Sequence, residues 1–203
     1  TKEFNNVNGK VRYTRDSYQH DLTNWVLNLP TGKELSTNGT TYTSVQSTSY
    51  YSPTHASKSL PYQEFAYGLL QATNTYLADG NLSQKTFNAA NRWVQYSNYK
   101  RGKPQLIKVP TRYSATCTDP SMCFQSVSAT VNNDGTISWV RDFNNNETNY
   151  GYDAIGRLTS INPVDSRWAD TSISYDLDYS GYASMVQNIV RGNFRKSVTL
   201  DGL

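Results

Sequence analysis

The 203-residue sequence has no long apolar run; stretches such as 25–27 and 189–190 are a few residues each, far short of the roughly 20 that cross a bilayer as a helix. Glycine and proline are sparse, at 12 and 7 residues, which excludes a collagen-like or low-complexity chain. Charge of one sign is missing too: 19 basic against 16 acidic residues leave +3, and the bases are scattered. Their densest groups are Lys100-Arg101-Gly102-Lys103 and Arg191 with Arg195-Lys196. Neither makes the basic stripe that binds nucleic acid, and both read as guards on turns and sheet edges. No charged segment followed by an apolar one precedes Thr1. The expectation is a processed chain or a piece of a longer one.

Cysteine is nearly absent. Cys117 and Cys123 flank Asp119-Pro120-Ser121, a turn signal that lets the chain fold back and bring the two sulfurs together. A local disulfide is the expected state, with two free thiols as the alternative. Its short loop would contribute about 2–3 kcal/mol. Two thiols alone do not make a metal site, and His20 and His55 lie in unrelated segments. No metal and no cofactor is implied.

What the chain does have is 16 Tyr, many Ser, Thr and Asn, and a period of two. From Ile173, every second residue to Tyr179 is apolar or aromatic, with Ser174, Asp176 and Asp178 between, the pattern of a strand with one wet face. Trp25, Leu27 and Leu29 alternate up to Pro30, where the ladder is expected to stop. Val127/Ala129/Val131, Asp134-Gly135 and Ile137/Trp139 form a hairpin signal. Residues 185–190 and 194–200, joined across Arg191-Gly192-Asn193, form another. Residues 63–72 read as a strand, with a helix through Phe65, Leu69 and Ala72 as the alternative. Residues 31–61 read as the long loop. One domain over 1–203 is the simplest organisation.

The turns recur. Asp79-Gly80-Asn81-Leu82-Ser83 aligns with Asp134-Gly135-Thr136-Ile137-Ser138, and the same offset brings Asn91 onto Asn146. Asn8-Gly9 and Asp201-Gly202 echo the turn. A hairpin with one apolar face cannot bury it alone, whereas a row of stacked hairpins makes a continuous wall. The expected fold is therefore all-β: stacked antiparallel hairpins in a curved sheet.

The second unit runs into Tyr152-Asp153-Ala154-Ile155-Gly156-Arg157-Leu158-Thr159-Ser160-Ile161. In such a motif Asp153 can accept turn N–H groups, Gly156 permits positive φ, and Arg157 and Leu158 restart the strand. The segment resembles the YD repeat of Rhs/YD-repeat proteins. Residues 20–30 (HDLTNWVLNLP), 99–107 (YKRGKPQLI) and 191–196 (RGNFRK) are similar to further family segments in the expected order. The resemblance implies an arc of a β-sheet shell or hollow fibre, from a bacterial secreted or cell-surface protein. Its partners would be further copies of itself, neighbouring Rhs repeats or an enclosed toxin domain. The family's self-cleaving aspartyl-protease-like region and its toxin domain have no counterpart here, so the resemblance carries over a scaffold and no catalytic residue.

Catalytic readings are weak on the residues themselves. Asp176 and Asp178 share a strand face about 7 Å apart by strand rise, the spacing of a glycosidase pair, but that face is expected in solvent. No Gly-x-Ser-x-Gly elbow exists. Asp79-Gly80-Asn81 and residues 144–147 match no calcium loop. A glycan-binding surface is the alternative function, with Tyr50 and Tyr51 as the candidate stacking residues; Trp25, Trp93, Trp139 and Trp168 read as core. Asn38, Asn81 and Asn146 fit the glycosylation sequon, the latter two already having turn roles.

Overall fold

In the computed structural model, residues 2–4, 11–88, 92–111, 123–178 and 184–200 are described, with side chains at 2–4, 177–178, 184 and 200 excepted. The fold is all-β: the elements among those residues are β-strands paired antiparallel in sequence order. They divide into two compact units, residues 1–96 with 109–124 and residues 97–108 with 125–203.

The first unit is a meander of β1 (Lys2–Phe4), β2 (Val11–Asp21), β3 (Val26–Ser36), β4 (Thr43–Tyr50), β5 (Pro61–Ala66), β6 (Leu69–Tyr76), β7 (Leu82–Phe87) and the first half of β8 (Trp93–Lys100). Each strand pairs antiparallel with the next. The second unit takes the rest of β8, then β9 (Lys103–Pro110) up to Lys108, β10 (Phe124–Val131) from Gln125, β11 (Ile137–Arg141), β12 (Glu147–Tyr152), β13 (Leu158–Pro163), β14 (Thr171–Asp178), β15 (Ser184–Arg191) and β16 (Phe194–Leu200). Short connections and period-two sequence make hairpins the cheapest topology, because each strand pairs with the one just made.

Four local expectations are revised. The ladder does not stop at Pro30: β3 runs through it to Ser36, with a register shift at Ser17/Tyr18 beside the Tyr18–Pro30 pair. A bulge there accommodates the missing N–H. Residues 31–61 are loop only in part, since 31–36 complete β3 and Thr43–Tyr50 form β4, leaving 37–42 and 51–60 as connections. Residues 63–72 are two strands, β5 and β6, folded at Tyr67 and Gly68, whose φ angles of 50° and 76° make a two-residue hairpin turn. The tryptophans are not core throughout, because Trp25 is 82% and Trp168 58% exposed.

A strict greasy-in, wet-out division is found on β14, where Ile173 is buried while Ser174 and Asp176 are exposed. On β5 and β12 every residue is half-buried, on both faces. The buried apolar side chains among the described residues are Ala72, Val131 and Ile173, fewer than the buried polar ones, Asp21, Ser36, Ser57, Ser59 and Asn74. The sheet is held by its ladders and by side chains lying along neighbouring strands. No thick apolar core is present among those residues.

Candidate functional site

The recurrent chemistry sits in the turns. In the four hairpins closing at 77–81, 132–136, 142–146 and 153–157, the first residue's N–H donates to the carbonyl of the fifth and the fourth residue's N–H donates back to the first: Leu77/Asn81, Asn132/Thr136, Asp142/Asn146 and Asp153/Arg157. The ladder closes on a pair six residues apart each time: Tyr76–Leu82, Val131–Ile137, Arg141–Glu147 and Tyr152–Leu158. The fourth position is left-handed in all four, at Gly80 (φ 84°), Gly135 (88°), Asn145 (66°) and Gly156 (83°). That is a turn followed by a left-handed bulge residue.

A carboxylate caps each turn, from one of two places. Asp79 and Asp134, at the third position, accept the N–H of Asn81 and Thr136. Asp142 and Asp153, at the first position, each accept two, from Asn144 and Asn146 and from Ile155 and Arg157. These bonds favour the ionised form. The Asn81 backbone lowers the pKa of Asp79, and the side chains of Thr136 and Asn146 lower Asp134 and Asp142. For Asp153, burial pushes upward, and the Arg157 side chain together with the turn N–H groups more than offsets it.

Residues 152–157 add two anchors. Arg157 Nε is 2.6 Å from Asp153, and its guanidinium lies over the Tyr175 ring at 4.3 Å with Nη1 3.3 Å from Met185 Sδ. Tyr152 hydroxyl donates to the carbonyl of Ile137, 3.0 Å away, at the start of the preceding strand. Tyr76 does the same to Pro61 at 2.8 Å and Tyr175 to Leu158 at 3.1 Å. Each tyrosine spans one strand and satisfies a carbonyl near the sheet rim, where the ladder ends.

In the first unit the 51–60 connection carries a second cluster. Tyr51 stacks on His55 (centroids 4.2 Å apart) and packs against Tyr62 (4.6 Å) and Tyr76 (6.1 Å). Its hydroxyl donates to the main-chain carbonyl of Asn74, and Tyr50 hydroxyl to Pro30. Ser59, buried, donates to Asp21, which also accepts from Asn24. The Ser59 bond is the largest influence holding Asp21 below its usual pKa. On the neighbouring strands, Glu64 holds Lys85 and the Asn74 side chain. Burial lifts the Tyr76 hydroxyl to about 12, helped by the nearby Glu64 charge. Nothing in the sequence singled out Glu64, Asn74 or Lys85; only strand register brings them together.

The other candidates are dispersed. Asp176 is exposed and bonded to Ser174 and Asn188, and the Asp178 side chain lies outside the described residues. Asn81 and Asn146 donate to Asp79 and Asp142, while Asn38 is exposed with Oδ1 accepting from Ser36, Thr40 and Thr41. Cys123 is in a disulfide; Cys117 lies outside the described residues, as do the turns at 8–9 and 201–202. A groove of about 600 Å³ in the first unit is lined mainly by Leu69, Leu70, Phe87 and Trp93, with Arg92 as its one charged lining residue. No helix among the described residues is long and apolar enough to cross a membrane.

An all-β meander with capped turns and a polar interior is the class of protein that these features define. No protein-family model matches the sequence, and no curated protein matches it. Among solved structures, a chain of the Photorhabdus luminescens Tc holotoxin pore with a TccC3 mutation is similar at 10% identity and a TM-score of 0.34, over 94% of this chain and 13% of that one. A TcdB2-TccC3 structure without its hypervariable C-terminal region is similar at 9% identity and 0.31, over 94% and 14%. The chain thus spans about one seventh of the length of these neighbours.

Proposed function

We propose that the chain is a structural wall, a stretch of Rhs/YD-type β-sheet, one repeat domain over 1–203, that encloses a cavity or assembles through its edge strands in a secreted or surface-exposed bacterial protein. The carrying observation is the scarcity of buried apolar side chains: among the described residues Ala72, Val131 and Ile173 are buried, against the polar Asp21, Ser36, Ser57, Ser59 and Asn74. Strands held by ladders, tyrosine anchors and capped turns, with more buried polar than apolar side chains, suit a single layer whose faces meet something else. No catalytic carboxylate pair is assembled in the groove of the first unit.

Edge strands supply the contact. β16 pairs with β15 along its length, and Phe194 to Ser197 are exposed. Its other edge offers backbone groups to a further strand, from another copy or from a neighbouring repeat, and Arg195 and Lys196 restrain indiscriminate pairing. An enclosed toxin domain is the cargo this reading would allow. Glycan binding has less support, because the hydroxyls of Tyr50 and Tyr51 are both committed to main-chain carbonyls.

Size-exclusion chromatography with light scattering, followed by electron microscopy, tests this on the whole chain. Ordered, concentration-dependent assembly that Thr199→Lys on β16 weakens is the expected outcome. A compact monomer at every concentration, with no partner at its edges, would overturn assembly through the edges.

A further inference from the structure

Glu64, Asn74 and Lys85 stand on the three successive strands β5, β6 and β7 of the first unit. Asn74 and Lys85 are direct cross-strand partners. One carboxylate oxygen, Glu64 Oε1, accepts from both Lys85 Nζ at 2.9 Å and Asn74 Nδ2 at 3.0 Å, and Oε2 accepts from Lys85 Nζ at 2.7 Å. An amine, a carboxamide and a carboxylate touching both are the groups needed to make an amide by transamidation. The position of the carboxamide is unusual. Asn74 is 3% exposed, and its Oδ1 has no hydrogen-bond partner among the described residues. A carbonyl oxygen buried in this way is costly in a merely structural amide. The Phe87 ring centroid lies 5.9 Å from Lys85 Nζ, and the Tyr51 hydroxyl donates to the Asn74 main-chain carbonyl.

We propose that Lys85 and Asn74 join in an intramolecular isopeptide bond, with Glu64 carrying the proton between them. Lys85 passes a proton to Glu64 along their hydrogen bond and becomes a neutral amine. Its Nζ lone pair adds to Asn74 Cγ, and the carbonyl electrons move onto Oδ1. Glu64 gives its proton to the departing Nδ2 through the contact it already makes, and takes the second proton from Nζ. Collapse of Oδ1 breaks the Cγ–Nδ2 bond and expels ammonia, which leaves as ammonium with that second proton. The carboxylate is restored, no oxidant or reductant enters, and the chain loses one NH3 and one positive charge. Holding amine and amide on one carboxylate, from paired positions of the ladder, makes the step unimolecular. The product would clamp β6 to β7 covalently within a sheet that has little apolar core.

Mass spectrometry of the denatured whole chain is the test. The expected mass is lower than the sequence mass, after the disulfide hydrogens are counted, by one ammonia, and digestion yields a branched peptide containing both Lys85 and Asn74. Lys85→Arg and Glu64→Gln should each restore the ammonia while circular dichroism shows the sheet intact, and Asn74→Asp should instead lose one water. Cyclisation at Asn8-Gly9 or Asn38-Gly39 also releases ammonia, so a loss that persists in Lys85→Arg overturns the proposal. Full mass in the folded wild-type chain, held from mildly acidic to mildly alkaline pH, overturns it as well.

Discussion

Gly156 and Asn145 occupy the same place in two turns, the left-handed fourth position, with φ angles of 83° and 66°. Only a residue without a Cβ enters that region freely; asparagine tolerates it at some cost. Gly156→Ala is therefore expected to destabilise by about 1–2 kcal/mol, whereas Asn145→Gly should be neutral or slightly stabilising. Urea unfolding of both variants measures the difference, and equal effects would mean that the two turns are not equivalent. Tyr152→Phe removes only the hydroxyl that reaches the Ile137 carbonyl, and a loss of about 1 kcal/mol is expected.

Among elements, the turns share one electrostatic habit, with a pH signature. Asp79, Asp134, Asp142 and Asp153 all have lowered pKa values in the folded chain, and Asp165, bonded to the Arg167 side chain, is held at about 2. A depressed carboxylate pKa stabilises the fold above the unfolded value, and that contribution is lost as pH falls through the folded value. Melting temperature should be level above about pH 5 and drop between about pH 4 and about pH 2. Replacing Asp153 by Asn should flatten part of the drop. An unchanged profile would mean that the turn carboxylates do not govern acid lability. At the alkaline end the sign is reversed: Tyr76, raised to about 12, favours the neutral hydroxyl, so its contribution fades as pH climbs from 10 toward 12. Difference spectroscopy of Tyr76→Phe against wild type should show one late-ionising tyrosine missing.

For the whole molecule, the decisive observation is how few apolar side chains are buried among the described residues, which leaves faces and edges that suit contact with further protein. The wall reading rests on that scarcity, and the assembly experiment addresses it. The isopeptide proposal stands apart, because mass spectrometry reports on the β6–β7 clamp whether or not copies associate.

The strands were legible because period-two alternation and Asx-Gly turns are local properties, written in consecutive residues such as Ile173 to Asp176 and Asp134-Gly135. The Asp-x-x-Gly spacing of Asp153 and Gly156 was legible for the same reason, whereas its twin at Asp142 and Asn145 was hidden by asparagine standing in for glycine. Pro30 inside β3 could not be read, because a bulge set by the partner strand absorbs it. Nor could the meeting of Glu64, Asn74 and Lys85, three polar residues ten or more apart that have nothing in common until the register lays their strands side by side. Propensity and turn chemistry act over a few residues and belong to the sequence. Which side chains touch across a ladder, and how much of a face stays bare, depend on long-range pairing and were decided only by the tertiary structure.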